Sequence, residues 1–423
     1  MRAPRRALVI APHGSYRTAP FLRAAAALGL EGVVAAPGEY SVVPAYARGI
    51  HVDLGDTEGA LARLAAEAEA GGPFAAVVGT DDASTELAAR LAARLGLPHN
   101  PPAAVRYARY KHLARARLRA AGVRVPEFRV LDLEAPLAPQ WEGFPFPCVV
   151  KPVALSGSRG VIRADDAGAL ERAVARSAAI AAAGAAPGDA AARRFLLLET
   201  YVPGFEVAVE GMLRRGRLEV LAVFDKPEPL EGPFFEESYY VTPSRLDGAT
   251  RAALAREIEA ACRAYGLREG PVHGECRVNA AGVWILEVAA RTIGGLCARL
   301  LRWGTGHGLE ELVLLHAMGR RPRRRALAGA AGVLMIPIPR AGVLRRVEGL
   351  GRAERVPGVE EVVIHLREGY ELVPLPEGDS YLGFVFARGP NARQVEAALR
   401  EAHAQLEIVT APLWRAAVAP AAG

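Results

Sequence analysis

His273-Gly274-Glu275-Cys276-Arg277-Val278-Asn279-Ala280-Ala281-Gly282-Val283-Trp284-Ile285-Leu286-Glu287-Val288-Ala289-Ala290-Arg291 is the stretch on which the fold turns. Two runs of strand-forming residues flank Asn279 to Gly282, the turn signal of a β-hairpin. A period of two places His273, Glu275 and Arg277 on one face, and the ladder brings Glu287 nearly opposite Glu275. Two carboxylates facing each other on an apolar hairpin repel by several kcal/mol at an intermediate dielectric unless a cation lies between them. Hard oxygen ligands of this kind suit magnesium. A salt-bridged hairpin, in which Arg277 or Arg291 neutralises the acids, fits the same pattern.

Working outward, Val149-Val150-Lys151-Pro152 is followed by Ser156-Gly157-Ser158-Arg159-Gly160-Val161. A lysine leaving a buried strand beside a Gly/Ser loop offers a fixed cation and backbone N–H groups free to wrap an anion. This is not a Walker loop, and taken singly it also reads as a plain surface turn. Next comes Leu196-Leu197-Leu198-Glu199-Thr200-Tyr201-Val202-Pro203-Gly204-Phe205-Glu206-Val207, a strand that breaks and restarts at a carboxylate. The break leaves backbone groups for an adenine edge and Glu206 for ribose hydroxyls, although a hairpin with a solvent-facing Glu206 reads equally well.

Around these motifs the first hundred residues alternate strand and helix signals: Ala7–Ala11, Ala19–Leu28, Gly32–Ala36, Ala75–Gly79 and Ser84–Leu95. Such alternation implies a doubly wound parallel sheet, with ligands at loops such as His13–Thr18. Asn100-Pro101-Pro102 marks a boundary, and a helix is expected over Ala103–Ala121, then a strand over Val123–Val130. Ala178–Ala192 reads as a helix end with an exposed loop. From Phe195 strands dominate (Phe195–Tyr201, Glu206–Leu213, Arg217–Phe224, Val272–Val278, Val283–Val288) with a helix over Gly248–Tyr265, the signature of an α+β lobe. A last strand-rich unit opens at Ala331–Ile338 and closes with Tyr381–Arg388 and the helix Asn391–Ala404.

With 423 residues the chain is long enough for two to four domains. No apolar run approaches the roughly 20 residues of a membrane span, and the basic start lacks a signal peptide's apolar core, so a cytoplasmic protein is expected. Cys148, Cys262, Cys276 and Cys297 show no CxxC spacing, which argues against disulfides and a thiolate metal site. The net charge of +6 is owed largely to arginine, densest at Arg320, Arg321, Arg323, Arg324 and Arg325. Without stacking aromatics or a recognition motif, that run reads as a solvated linker rather than a nucleic-acid site. GxGxxG, GxSxG, HExxH and the kinase HRD constellation are all missing, which disfavours dinucleotide binding and the common nucleophilic mechanisms.

In this order, Lys111, Lys151-Pro152 with its Ser/Gly loop, Glu199-x-Tyr-Val-x-Gly-x-Glu206 and Glu275…Glu287-x-x-x-Arg291 resemble the ATP-grasp superfamily. The N-terminal unit and the tail, with Leu375 to Arg388, look like the L-amino acid ligase branch, which makes dipeptides. The resemblance implies three parts: an N-terminal α/β domain (1–102), an ATP-grasp domain (103–325, its lid about 125–200) and a C-terminal strand-rich ligase domain (326–423). It implies an ATP-dependent carboxylate–amine ligase releasing ADP and phosphate through an acyl phosphate. Rival readings are a carboxylase or purine-biosynthesis ligase of the same fold, and a non-catalytic nucleotide-binding regulator.

By the same resemblance, Lys111 and Lys151 hold ATP phosphates beneath a lid of Ser156, Ser158 and Gly160. Glu199 and the Tyr201-Val202 backbone meet adenine, and Glu206 meets ribose. Glu275 and Glu287 bind one or two Mg2+ ions, with Mn2+ as a substitute. Arg291 stabilises the acyl phosphate, His273 orients the carboxylate or relays a proton, and Gly294 and Gly295 face the substrate carboxylate. The expected partners are small carboxylates and amines, with no nucleic acid or membrane, in a homodimer. One departure is Ala289, where many members carry an asparagine as a further magnesium ligand. The glycines after Arg291 leave room for a bulky first amino acid.

Overall fold

The computed structural model describes residues 5–13, 15–38, 48–321 and 329–413. Gly14 of the first loop and Arg323, Arg324 and Arg325 of the arginine run lie outside them. The first unit is a four-stranded parallel sheet in the order Arg48–His51, Glu31–Ala36, Arg6–Ile10, Phe74–Gly79. Arg6–Ile10 is buried along its whole length, as a parallel strand covered by helices on both faces must be. The helix Asp82–Arg94 starts with a capping box between Asp81 and Ser84. That start lies at the carboxyl end of Phe74–Gly79, where doubly wound sheets place ligands.

The helix expected over 103–121 is two helices, Pro102–Arg109 and Lys111–Ala120, broken at Tyr110 (φ −102°, ψ 105°). Lys111 N–H donates to Val153 O at 2.8 Å, a tertiary contact that periodicity does not register. The strand expected over 123–130 forms at Phe128–Asp132, beyond Pro126, which has no N–H for a ladder. That strand, with Cys148–Pro152, Ile162–Ala164 and Phe195–Thr200, makes a four-stranded antiparallel lid sheet. The helix Ala167–Gly184 backs it with Leu170, Val174 and Ala181.

The rest is organised on one eight-stranded sheet in the order Gly282–Ala289, Gly270–Asn279, Phe205–Arg214, Arg217–Asp225, Tyr239–Thr242, Ala330–Ile336, Gly383–Gly389, Val359–Ile364. The last three strands belong to the unit expected to begin at 326, so that unit continues the central sheet without a break. Tyr239–Thr242 pairs antiparallel with Ala331–Leu334 across the expected boundary. The helix Gly248–Tyr265 packs Leu254, Ile258 and Cys262 on one side. A second core joins Phe21 and Val78 of the first unit to Phe224, Leu300 and Phe386, fixing the first unit against the sheet. No helix among the described residues is long and apolar enough to cross a membrane.

Candidate active site

Three adjacent antiparallel strands present one charged face. Arg277 pairs in register with Glu206, His273 with Glu210, Glu275 with Glu287, and His273 on its other side with Ala289. The period-two reading of the hairpin therefore holds, including the two opposed glutamates. A bulge between Glu275 and Cys276 lets Glu275 face Glu287.

Two further carboxylates join Glu275 on this face. Glu206, Glu237 and Glu275 each offer an oxygen within 4.8 Å of the others. Glu287 is turned to Lys111, whose Nζ lies 3.0 Å from its Oε2. Hard oxygens clustered in this way fit a magnesium ion. Lys226 already places an ammonium there: Nζ donates to Glu206 Oε1 at 2.8 Å and to Glu237, and lies 3.7 Å from Glu275. Burial pushes the Lys226 pKa down, but Glu206, Glu237 and Glu275 outweigh it and hold the amine protonated. Ala289, where a further oxygen ligand was missing from the sequence pattern, is 1% exposed and pairs with His273 in the ladder.

His273 lies between Glu210 Oε2 at 3.2 Å and Glu275 Oε1 at 3.3 Å. Burial lowers its pKa, yet the two carboxylates raise it further, to about 9. Both ring nitrogens thus face carboxylates, which favour the protonated imidazole. Arg277 donates to Glu206 Oε2 at 2.8 Å and to Val202 O at 2.7 Å. Its guanidinium and that of Arg163 lie 4.9 and 4.5 Å from the Tyr201 ring centroid, and Phe235 stacks on the same ring.

Glu199 lies in a buried ion cluster at the cavity wall. Its carboxylate is 2% exposed and held by Arg115 on one oxygen and Lys151 on the other. Burial raises its pKa, and Arg115 and Lys151 together more than reverse this. Glu199 thus fixes the Lys151 ammonium in place. Lys111 also donates to Leu155 O at 2.7 Å, tying it to the phosphate loop. Within that loop Gly157 and Ser158 have φ of 66° and 57°, a left-handed pair that glycine makes cheap at the first position. The Gly160 N–H donates to Pro376 O at 2.9 Å.

Two cavities adjoin across this face. The nucleotide-side cavity, about 870 Å3 including space open to solvent, is walled by Lys111, Lys151, Ser156, Ser158, Glu199, Tyr201, Val202, Glu206, Glu287 and Arg291. The substrate-side cavity, about 1520 Å3 on the same measure, is walled by His273, Arg291, Gly294, Gly295, Leu296, Met335, Tyr381 and Phe384 together with Arg17, Asp81 and Asp82 of the first unit. Glu237, Glu275 and Arg291 line both. Arg291 is 7% exposed and is fixed by Asp82 Oδ2 at 2.9 Å and by Thr292 O at 3.0 Å.

Of the residues given a binding or catalytic role from the sequence, all except Gly160 line one or both cavities. The sequence reading gave no role to Arg115 or Asp82, and it marked the loops that hold Arg17, Lys226 and Glu237 as ligand contacts without singling out those residues. Lys226 and Glu237 fall in the loops after Arg217–Asp225, where polar residues next to a strand end were the available signal. Arg115 looks like any basic residue of an amphipathic helix.

Family models match three consecutive parts of the chain: an ATP-grasp N-terminal domain over 22–99, an ATP-grasp domain over 144–299 and an L-amino acid ligase C-terminal domain 2 over 334–411. Carnosine synthase 1 of Gallus gallus is 32% identical over 289 residues, covering 63% of this chain and 30% of its own length. An uncharacterized protein, y4rH, of Sinorhizobium fredii is 25% identical over 316 residues, covering 74% of this chain and 63% of its own. The chain thus spans under two thirds of either relative. The structure of an L-amino acid ligase from Bacillus licheniformis superposes with a TM-score of 0.82 at 26% identity, over 96% of this chain and 100% of that one. An N5-carboxyaminoimidazole ribonucleotide synthetase from Thermotoga maritima, at 15% identity and a TM-score of 0.70 over 96% and 99% of the two chains, shares the fold. With the charged sheet face, the lid and the C-terminal strands all matched in this order, the chain belongs to the ATP-grasp superfamily, in the L-amino acid ligase branch.

Proposed function

We propose that the chain is an ATP- and Mg2+-dependent ligase that joins a small carboxylate to an amine through an acyl phosphate, with L-amino acids or related small acids and amines as substrates. The observation that carries this reading is the shared wall. Arg291 and Glu275 line both cavities, so the phosphate end of a nucleotide in one meets a carboxylate in the other. The names of the chicken and Bacillus relatives support the amide chemistry.

Lys151, held by Glu199, and Lys111 bind phosphate oxygens as fixed cations. Glu206, Glu237 and Glu275, with Glu287 opposite Glu275 in the ladder, would hold Mg2+, which would neutralise phosphate charge there. His273, as a cation, orients the acceptor carboxylate, and Arg291 lies where charge collects as the γ-phosphoryl group passes to it. The amine then displaces phosphate, with Arg291 stabilising the tetrahedral oxyanion. Positioning and electrostatics carry such a reaction, and the lid excludes the water that would hydrolyse the acyl phosphate.

The apolar side of the second cavity, with Leu296, Met335 and Phe384, favours an organic acid over bicarbonate and so an amide ligase over a carboxylase. The test is ADP and phosphate release with ATP and Mg2+ across all pairs of common amino acids, with mass spectrometry of products. Pair-dependent release with a dipeptide mass is expected. ATP binding with no release for any pair would favour the regulatory reading. A homodimer is part of the same proposal, and light scattering tests it.

A further inference from the structure

Arg17, at the end of the first loop, is 9% exposed and lies in the wall of the substrate-side cavity. Its Nη1 engages Asp81, while Nη2 stands 3.5 Å from Ile293 O, long for a charged donor, and Nε has no partner. A buried guanidinium with donors so incompletely used is costly unless another group uses them. Gly294 lies in front of it. A Cβ at Gly294 would sit 3.6 Å from Arg17 Nη2 and 3.7 Å from the Tyr16 hydroxyl. The Gly294 backbone is outside the left-handed region, so the glycine serves space and not conformation.

Asp81 and Asp82, consecutive at the start of one helix, therefore hold two arginines at one cavity: Arg17 and Arg291. With Arg291 at the carboxylate being activated, a second cation is left for a second anion. We propose that Arg17, with the Tyr16 hydroxyl and the space that Gly294 leaves open, binds the carboxylate of the incoming amine substrate. That substrate is then an amino acid or another carboxylate-bearing amine. A planar guanidinium suits a carboxylate better than any other side chain. The inference rests on the ligase reading above.

The test compares the amino acid that the pair screen identifies as amine with its own carboxamide, as kcat/KM for amine-dependent ADP release. The wild-type enzyme should prefer the free carboxylate by roughly 10- to 100-fold, the span of a charge-assisted hydrogen bond. R17Q should bring this ratio close to one while leaving the KM for ATP unchanged. Gly294→Val fills the space on the Nη2 side of Arg17, away from the Nη1 bond to Asp81, and should lower the ratio likewise, so a misfolded Arg17 variant does not shelter the idea. Equal use of acid and amide by the wild type, or a ratio that survives Gly294→Val in an enzyme that still binds ATP, overturns the inference and leaves the ligase reading standing. Absence of amine-dependent turnover altogether defeats the ligase reading, and this inference with it.

Discussion

Replacing Arg115 with methionine tests the reading of the cation pair behind the nucleotide cavity. Arg115 is 1% exposed, bonds Glu199 through Nε and also donates to Leu286 O beside Glu287. Methionine keeps most of the apolar stem but leaves Glu199 with Lys151 alone. Two unit charges about 4 Å apart at an effective dielectric near 20 interact by about 4 kcal/mol. Breaking a buried pair costs a comparable 3 to 5 kcal/mol, roughly, through the charge left behind. The expected outcome is a loss of about 3 to 5 kcal/mol in urea unfolding at pH 7, with a raised KM for ATP because Glu199, anchored on one side only, holds Lys151 less firmly. The pH dependence supplies an internal control. Glu199 is held below its ordinary pKa in the parent, so its stabilisation is present above the unfolded carboxylate range and is lost as pH falls through the folded value. In the variant the carboxylate takes up its proton at higher pH, which relieves the unpaired charge, so the gap between the two proteins should narrow in acid. A loss under about 1 kcal/mol at pH 7, or a gap that widens in acid, would refute the argument that Glu199 needs both cations.

Glu287→Gln should lower turnover by roughly 100-fold or more with little change in unfolding midpoint, since it removes a charge at the site and no core packing; near wild-type rates would place the metal wholly on Glu206, Glu237 and Glu275. The His316 imidazole is pushed by burial down to about 4, with Arg214 adding to the effect. A histidine depressed in the folded state loses stability as pH falls below its unfolded value, so unfolding free energy should drop by about 2 kcal/mol between pH 7 and 5, and His316→Gln should abolish most of that drop. Arg176 bonds Glu377 through two N–H groups at 2.6 and 2.9 Å, joining the lid to the segment whose Pro376 holds Gly160. As an exposed pair it is worth about 1 kcal/mol or less, yet Arg176→Glu should raise ADP released per amide formed, and the exchange with Glu377→Arg should restore coupling. Gly294 and Gly295 put no side chain on the wall of the substrate-side cavity, which should admit a bulky amino acid; a substrate range confined to alanine and glycine would refute this.

The hairpin was legible because alternation is a local property. His273, Glu275, Arg277 and Glu287 needed only a period of two and a turn to be placed on one face. The helix Gly248–Tyr265 formed with the expected ends, since Asp247 caps one and Gly266 the other with φ of 87°. What was illegible depended on contacts between distant segments. The break at Tyr110 answers to Val153 O, and the role of Glu199 depends on Arg115, 84 residues away. Asp82 reaches Arg291 across 209 residues, and no spacing rule connects them. The converging carboxylates escaped notice for the same reason: Glu237 lies in a loop whose path only the folded sheet determines.

The unbroken eight-stranded sheet bears on how such ligases can be recombined. Met335 and Phe384, in the substrate cavity wall, sit on strands that run in one ladder with Tyr239–Thr242 and so with the charged face. A chimera that borrowed the C-terminal unit to acquire new substrates would graft three strands into a foreign sheet, and a chain cut before them would display Tyr239–Thr242 as a bare edge open to other chains. New substrate preferences in this scaffold are then more readily reached by point changes along the existing strands than by exchange of parts.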